Sequence, residues 1–250
     1  LKAFTDNYIW LVATNEGLLV VDPGDSQPVE DFLNKSNEVL SDILITHHHF
    51  DHTGGVEKLN SQSLLNVYGP TGSIFTGINR ELKEGDTINV IGIDFSIIEV
   101  PGHTLDHIAY YSENGGEPIL FCGDTLFAGG CGRVFEGTYE QMHNSLNKLK
   151  ILPENTKVYC GHEYTQSNLA FAITVEPDNQ FIKNKIEEVN KLRDSDKETL
   201  PSDIGSELKI NPFMRCEEKT VIDAATNYSG NELREPHEVL GAIRDWKDNF

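Results

Sequence analysis

The chain has 250 residues, 38% of them hydrophobic, and its 40 acidic residues against 20 basic ones give a formal net charge of −20. That length buries a substantial core in one large domain or two ordinary ones, and no apolar run nears the roughly 18 residues a membrane-spanning helix needs. So acidic a surface repels nucleic acid and anionic lipid, whose binding relies on Lys and Arg neutralising phosphates, so neither nucleic acid nor a membrane is expected as a partner.

In chain order, the N-terminal residues 1–7 show no charged-then-apolar leader. Short runs rich in β-branched and aromatic residues, bounded by Gly, Pro, Asn or Asp, predict strands at 8–12, 18–21, 43–46, 66–68, 87–90, 95–100, 107–111, 119–121 and 157–159. Helical stretches fall between them at 28–35, 54–61 and 139–150, the last with Met142, Leu146 and Leu149 on one face. Gly69-Pro70-Thr71-Gly72-Ser73 lacks the Gly-Lys-Ser/Thr of a phosphate loop and reads as a plain turn. After about Glu163 the texture becomes helical, at 167–176 and at 180–197, where Ile182, Ile186, Val189 and Leu192 keep helical spacing. A linker with Pro201, Gly205 and Pro212 follows, then a segment at 221–227 and a final helix from about Pro236, whose proline suits a first turn. Strands interleaved with helices predict an α/β (α+β) layered fold. Cys122, Cys131, Cys160 and Cys216 form no CxxC pair, so reduced thiols in a cytoplasmic protein are expected.

The segment Thr46-His47-His48-His49-Phe50-Asp51-His52 follows the apolar run Ile43-Leu44-Ile45. Imidazole with carboxylate suits Zn²⁺ and other first-row divalent ions. Residues two apart on an extended segment point the same way, so His47 and His49 can grip one ion, while Asp51 and His52 are candidates for a second. Further donors stand at strand ends beside glycine: His103 in Val100-Pro101-Gly102-His103, Asp124 in Phe121-Cys122-Gly123-Asp124, and His162 in Tyr159-Cys160-Gly161-His162. Taken singly, each reads as a turn former, a cap or an ordinary hydrogen-bonded histidine. The recurrence of apolar strand, glycine and donor makes them a metal constellation. His48, His143 and His237 lack that context and read as ordinary residues, and His107 reads as structural or as support for a ligand.

These motifs resemble the HxHxDH signature of the metallo-β-lactamase superfamily, with Asp22 in Val20-Val21-Asp22-Pro23-Gly24 and then His103, Asp124 and His162 in the expected order. Within it the chain is similar to glyoxalase II, the hydroxyacylglutathione hydrolase family. The resemblance rests on Phe4-Thr5-Asp6-Asn7-Tyr8, Gly123-Asp124-Thr125-Leu126-Phe127, Gly130-Cys131-Gly132-Arg133, residues 159–165 and Asn211-Pro212-Phe213-Met214-Arg215. It implies a four-layer αββα catalytic domain over 1–165 and a helical substrate-binding domain over 166–250. It also implies two divalent metal ions, zinc first and iron or manganese otherwise. His47, His49 and His103 would hold one, Asp51, His52 and His162 the other, and Asp124 would bridge them. Asp106 departs from the family's usual glycine. If that position needs a positive φ, Asp tolerates it better than most residues.

Two ions about 3.5–4 Å apart lower the pKa of a shared water from 15.7 toward neutrality, so a metal-bridging hydroxide attacks and no separate protein base is assigned. A thiolate, with a parent pKa of about 8.5, leaves without protonation, which suits a thioester. Only nine Lys or Arg occur in residues 1–165, so Arg133 beside a glycine-rich stretch invites a role. Arg244 and Lys247, three apart, share a helix face and otherwise serve only to complement its dipole. The resemblance implies that Arg133, Phe135, Tyr164, Arg244 and Lys247 hold glutathione, with Phe135 standing where some members have tyrosine. Arg215 reads as structural. The expected activity is hydrolysis of S-(2-hydroxyacyl)glutathione, typically the D-lactoyl thioester, as the closing step of methylglyoxal detoxification, by a monomer. The alternatives are another hydrolase or a persulfide dioxygenase of the same fold, and a metal-binding protein without turnover.

Overall fold

The computed structural model describes residues 1–36, 38–62, 64–113 and 116–250. They form two compact units: Leu1–Glu99 with Asp106–Gly123 and Tyr159–His162, and Val100–Leu105 with Asp124–Val158 and Glu163–Phe250.

The first unit contains β1 (Lys2–Ala3), β2 (Asn7–Tyr8), β3 (Trp10–Thr14), β4 (Gly17–Val21), α1 (Gln27–Ser36), β5 (Leu40–Leu44), α2 (Phe50–Thr53), α3 (Val56–Gln62), β6 (Asn66–Pro70), β7 (Arg80–Leu82), β8 (Thr87–Val90), β9 (Ile93–Glu99), β10 (Ile108–Ser112) and β11 (Ile119–Gly123). A mixed sheet runs β3-β4-β5-β6-β7, antiparallel at β3/β4 and parallel thereafter. The run Leu18-Leu19-Val20-Val21 is buried throughout because its strand is covered on both faces. Leu18 and Val20 pack on one side with Val29, Val56 and Leu59 from α1 and α3. Leu19 and Val21 pack on the other with Phe95, Ile97, Tyr110 and Phe121 of the antiparallel run β8-β9-β10-β11. This unit is therefore helix, sheet and sheet in layers. The strand predicted over 8–12 breaks at Ile9, and the strand predicted over 43–46 ends at Leu44, which leaves Thr46 and the histidines on the loop beyond.

The second unit contains β12 (Leu126–Phe127), β13 (Gly130–Cys131), α4 (Tyr139–Lys150), the start of β14 (Lys157–Cys160), α5 (Thr165–Val175), α6 (Gln180–Arg193), β15 (Ser202–Asp203), α7 (Ile204–Ile210), a 3₁₀ turn at Pro212–Met214, α8 (Lys219–Ser229) and α9 (Pro236–Asp248). Thr138 and Gln141 form a capping box for α4, which buries Met142, Leu146 and Leu149 as its spacing predicts. Leu169, Ala172, Ile182, Val189 and Ile210 make a second core. The segment read as a linker is ordered instead. Asp203 caps α7 by accepting from Ser206 N at 2.8 Å, and α7 buries Ile204, Glu207 and Ile210. Tertiary burial overrides the punctuation of Pro201 and Gly205 there. Helix α6 stops at Arg193, short of Lys197, where Asp196 turns at a φ of 53°.

Asn211 Nδ2 donates to the carbonyls of Phe127 and Gly130 at 3.2 and 2.9 Å and to Glu207 Oε2 at 2.9 Å. Glu207 Oε2 also accepts from Gly129 N at 2.8 Å. These bonds tie the C-terminal helices to the β12–β13 hairpin ahead of Arg133. Arg215 bridges Glu176 with both Nε and Nη2, at 2.8 and 3.0 Å, a structural role as expected. No helix among the described residues is long and apolar enough to cross a membrane.

Candidate functional site

In the first unit, the loop between β5 and α2 carries His47 and His49, with His47 Nε2 and His49 Nδ1 3.1 Å apart. Helix α2 carries Asp51 and His52, and His162 follows β14. Asp51, His52 and His162 each offer a donor atom, and the three lie within 4.8 Å of one another. The far nitrogens decide what these rings present. His52 Nδ1 is 3.0 Å from Asp22 Oδ2, and His162 Nδ1 is 2.8 Å from Asp6 Oδ1. An ionised carboxylate only accepts, so each ring carries its proton on Nδ1 and turns the Nε2 lone pair toward Asp51 Oδ2, at 3.5 and 3.4 Å. Two imidazole nitrogens with a carboxylate oxygen, each backed by an outer carboxylate, suit a divalent metal ion.

Asp22 holds a φ of 50°, a left-handed conformation that costs a non-glycine residue on the order of 1 kcal/mol. Its carboxylate over-determines that turn. Oδ1 accepts from Thr46 N at 2.8 Å and Oδ2 from Thr46 Oγ1 at 2.7 Å, besides facing His52. Gly123, at a φ of 47°, ends β11, and a Cβ there would collide with Thr46 Oγ1 and the His107 ring. Glycine is required by both the turn and the approach. His107 is buried and stacks on His47, centroids 4.5 Å apart, so it braces that ring.

In the second unit, His103 Nδ1 lies 2.8 Å from the Arg133 carbonyl oxygen, which again leaves Nε2 as the acceptor, 3.5 Å from Asp124 Oδ2. The Phe135 ring, largely exposed, sits 5.3 Å from the His103 ring. Tyr164 precedes α5 with its ring edge-on to Phe127 at 5.3 Å. From α9, Arg244 is only 3% exposed; Nη1 donates to the Cys131 carbonyl and Nη2 to Asp248 Oδ1, both at 2.9 Å. Lys247 Nζ donates to Asn168 Oδ1. Burial first, and the neighbouring Arg244 charge second, bring its ammonium down to about 7.

Thus His47, His49, Asp51, His52 and His162 converge within one unit, and His103, Asp124, Arg133, Phe135, Tyr164, Arg244 and Lys247 lie in the other. The outer carboxylate Asp6 stands out only in the structure. Its signal was faint: the aspartate of Phe4-Thr5-Asp6-Asn7-Tyr8. The structure adds detail at two further residues. His48, read as an ordinary residue, lies with Nδ1 2.9 Å from Asp106 Oδ1, whose Oδ2 accepts from Ser73 Oγ at 2.6 Å, a hydrogen-bonded histidine in keeping with that reading. Asp106 itself is absent from the positive-φ residues among those described, so its side chain and not its backbone sets it apart from glycine.

Residues 4–162 match the model of the metallo-beta-lactamase superfamily, and residues 163–250 match the hydroxyacylglutathione hydrolase C-terminus. A hydroxyacylglutathione hydrolase of Pseudomonas aeruginosa (strain LESB58) is 52% identical over 253 residues, covering 100% of this chain and 98% of its own. A hydroxyacylglutathione hydrolase of Idiomarina loihiensis is 47% identical over 251 residues with the same coverage. Among solved structures, the BLEG-1 B3 metallo-beta-lactamase is similar in fold, with a TM-score of 0.63 at 23% identity over 86% of this chain and 96% of that one.

Proposed function

The chain belongs to the hydroxyacylglutathione hydrolase family of the metallo-β-lactamase superfamily, and from that premise we propose that it hydrolyses S-(2-hydroxyacyl)glutathione to glutathione and a 2-hydroxy acid. The observation that carries the reading is the Asp51, His52 and His162 group, with Asp22 and Asp6 behind its two rings. By the order of the family motif, His47, His49 and His103 would hold one divalent ion and Asp51, His52 and His162 a second, with Asp124 available to both. Zinc is the first choice, and iron or manganese would accept the same donors. When bound, such ions supply water acidified toward neutrality and a Lewis acid for the thioester carbonyl.

The chain's own residues do the rest. Asp22, Asp6 and the Arg133 carbonyl keep His52, His162 and His103 in the tautomer that presents Nε2. His107 braces His47 from behind. Arg133, Phe135, Tyr164, Arg244 and Lys247 form the glutathione site, with Arg133 and Lys247 meeting its carboxylates and Arg244 supporting them. A leaving thiolate with a parent pKa of about 8.5 departs unprotonated, so no side chain is required as a general acid. In this reading residues 1–165 form the catalytic domain, 166–250 the substrate-binding domain, and the protein works as a cytoplasmic monomer.

The test is a spectrophotometric assay of S-D-lactoylglutathione hydrolysis before and after chelation, paired with elemental analysis. Turnover that stops on stripping and returns with metal supports the reading. Full activity in the stripped protein, or no turnover of any glutathione thioester by the loaded one, overturns it.

A further inference from the structure

Of the cations assigned to glutathione, Arg133 and Arg244 differ sharply in what they can touch. Arg133 has a side chain 61% exposed and follows a stretch with Gly129, Gly130 and Gly132, so alone it would range over many rotamers. Arg244 is enclosed. Its guanidinium lies 5.2 Å from the centre of the Phe213 ring, Nη1 is bonded to the Cys131 carbonyl, and Nε is buried without a hydrogen-bond partner. One atom joins the two arginines: Asp248 Oδ1, 2.9 Å from Arg244 Nη2 and 3.2 Å from Arg133 Nε.

We propose that Asp248 is a positioning residue for substrate, holding Arg133 by its Nε so that the terminal guanidinium nitrogens face a carboxylate of the glutathione moiety. A contact through Nε engages one edge of the guanidinium and leaves the other, which matches a carboxylate two bonds at a time. Arg133 has no further hydrogen-bond or ion-pair partner among the described residues. Arg244 then acts through Asp248, fixing a carboxylate at the end of α9 that would otherwise swing freely. Charge supports the arrangement. Arg133 and Arg244 are two permanent cations against the one carboxylate of Asp248, so the cluster still attracts a second anion in a chain of net charge −20.

The inference rests on the glutathione reading, and its test separates the two. The probe is S-methylglutathione, which keeps both carboxylates and has no thioester, titrated by calorimetry into the metal-loaded full chain. Asp248→Ala and Asp248→Asn should each weaken binding about three- to tenfold, the scale of ordering one rotamer-rich side chain. Asp248→Glu should recover part of the loss. Arg133→Ala should weaken binding as well, and the double variant Arg133→Ala/Asp248→Ala should be no weaker than Arg133→Ala alone. Thermal midpoints equal to that of the parent identify variants that keep the fold. Tighter binding by Asp248→Ala would make the carboxylate a competitor of the ligand and overturn the inference, as would additive losses in the double variant. A parent that binds but is indifferent to Asp248→Ala overturns this inference alone. A parent that does not bind S-methylglutathione overturns the glutathione reading with it.

Discussion

His162 Nδ1 stands 2.8 Å from Asp6 Oδ1, two side chains 156 residues apart in sequence. The pairing commits the ring to one tautomer and makes Nε2 a better donor. Asp6→Ala should therefore weaken metal retention about 10- to 100-fold, the usual cost of losing an outer partner. Competition against a chromophoric chelator measures it, and retention equal to the parent's would remove Asp6 from the site.

Metal removal should lower stability as well as activity. Ions that bind only the folded chain add about 2.7 kcal/mol at a free concentration 100 times the dissociation constant. Stripped protein should melt earlier, and adding back zinc, iron or manganese one at a time should restore the midpoint in the order of affinity. Identical melting curves for stripped and loaded protein would contradict a site of this kind.

Lys247 carries a pH prediction. Its ammonium, brought down to about 7, faces Arg244 and Asp248 on α9, Cys131 on β13 and Arg133 beyond it. The charged form prevails below that value and is lost above it, so attraction for a substrate carboxylate fades as pH rises. KM should climb by up to about tenfold between pH 6 and 8.5, the scale of one charge-assisted hydrogen bond. Lys247→Met should flatten the profile. A wild-type KM that holds level across that range would contradict the assignment.

Glu207 carries a second. Full burial lifts its carboxyl to about 6, against bonds from Ser202, Gly129 and Asn211 that lower it. The folded chain then holds a proton at this group that the unfolded chain has released, between 4.5 and 6. Stability from Glu207 is full below that window and falls as pH rises through it, by about 2 kcal/mol in all. The difference in unfolding free energy between the parent and Glu207→Gln should shrink by that amount from pH 4 to 7. A constant difference would show that the carboxyl titrates normally.

How much of this was legible in the chain follows from distance along it. His47, His49, Asp51 and His52 are contiguous, so their convergence needs only a strand end and one turn of helix. Helix α4 announces itself through Thr138, Gln141 and the spacing of Met142, Leu146 and Leu149. Asp22 and Asp6 reach their histidines across 30 and 156 residues, and no local pattern encodes such a pairing. The same holds for Asp248 on Arg133 and for Asp106 on His48. Helix α7 was hidden for another reason: its apolar positions make sense only once Glu207 is known to be buried with them and satisfied by Asn211.

Gly241 of α9 lies so near the Tyr139 ring of α4 that a Cβ would come within 2.7 Å of it. Helix α4 belongs with His103, Asp124 and Arg133 in one compact unit, and α9 completes that unit from the far end of the chain. The tail is thus scaffolding for the segment that bears two of the proposed metal donors. Shortening the polypeptide after His162 would leave His103 and Asp124 on a fragment stripped of its packing. Loss of the helical segment would therefore cost the site donors that the segment itself does not supply.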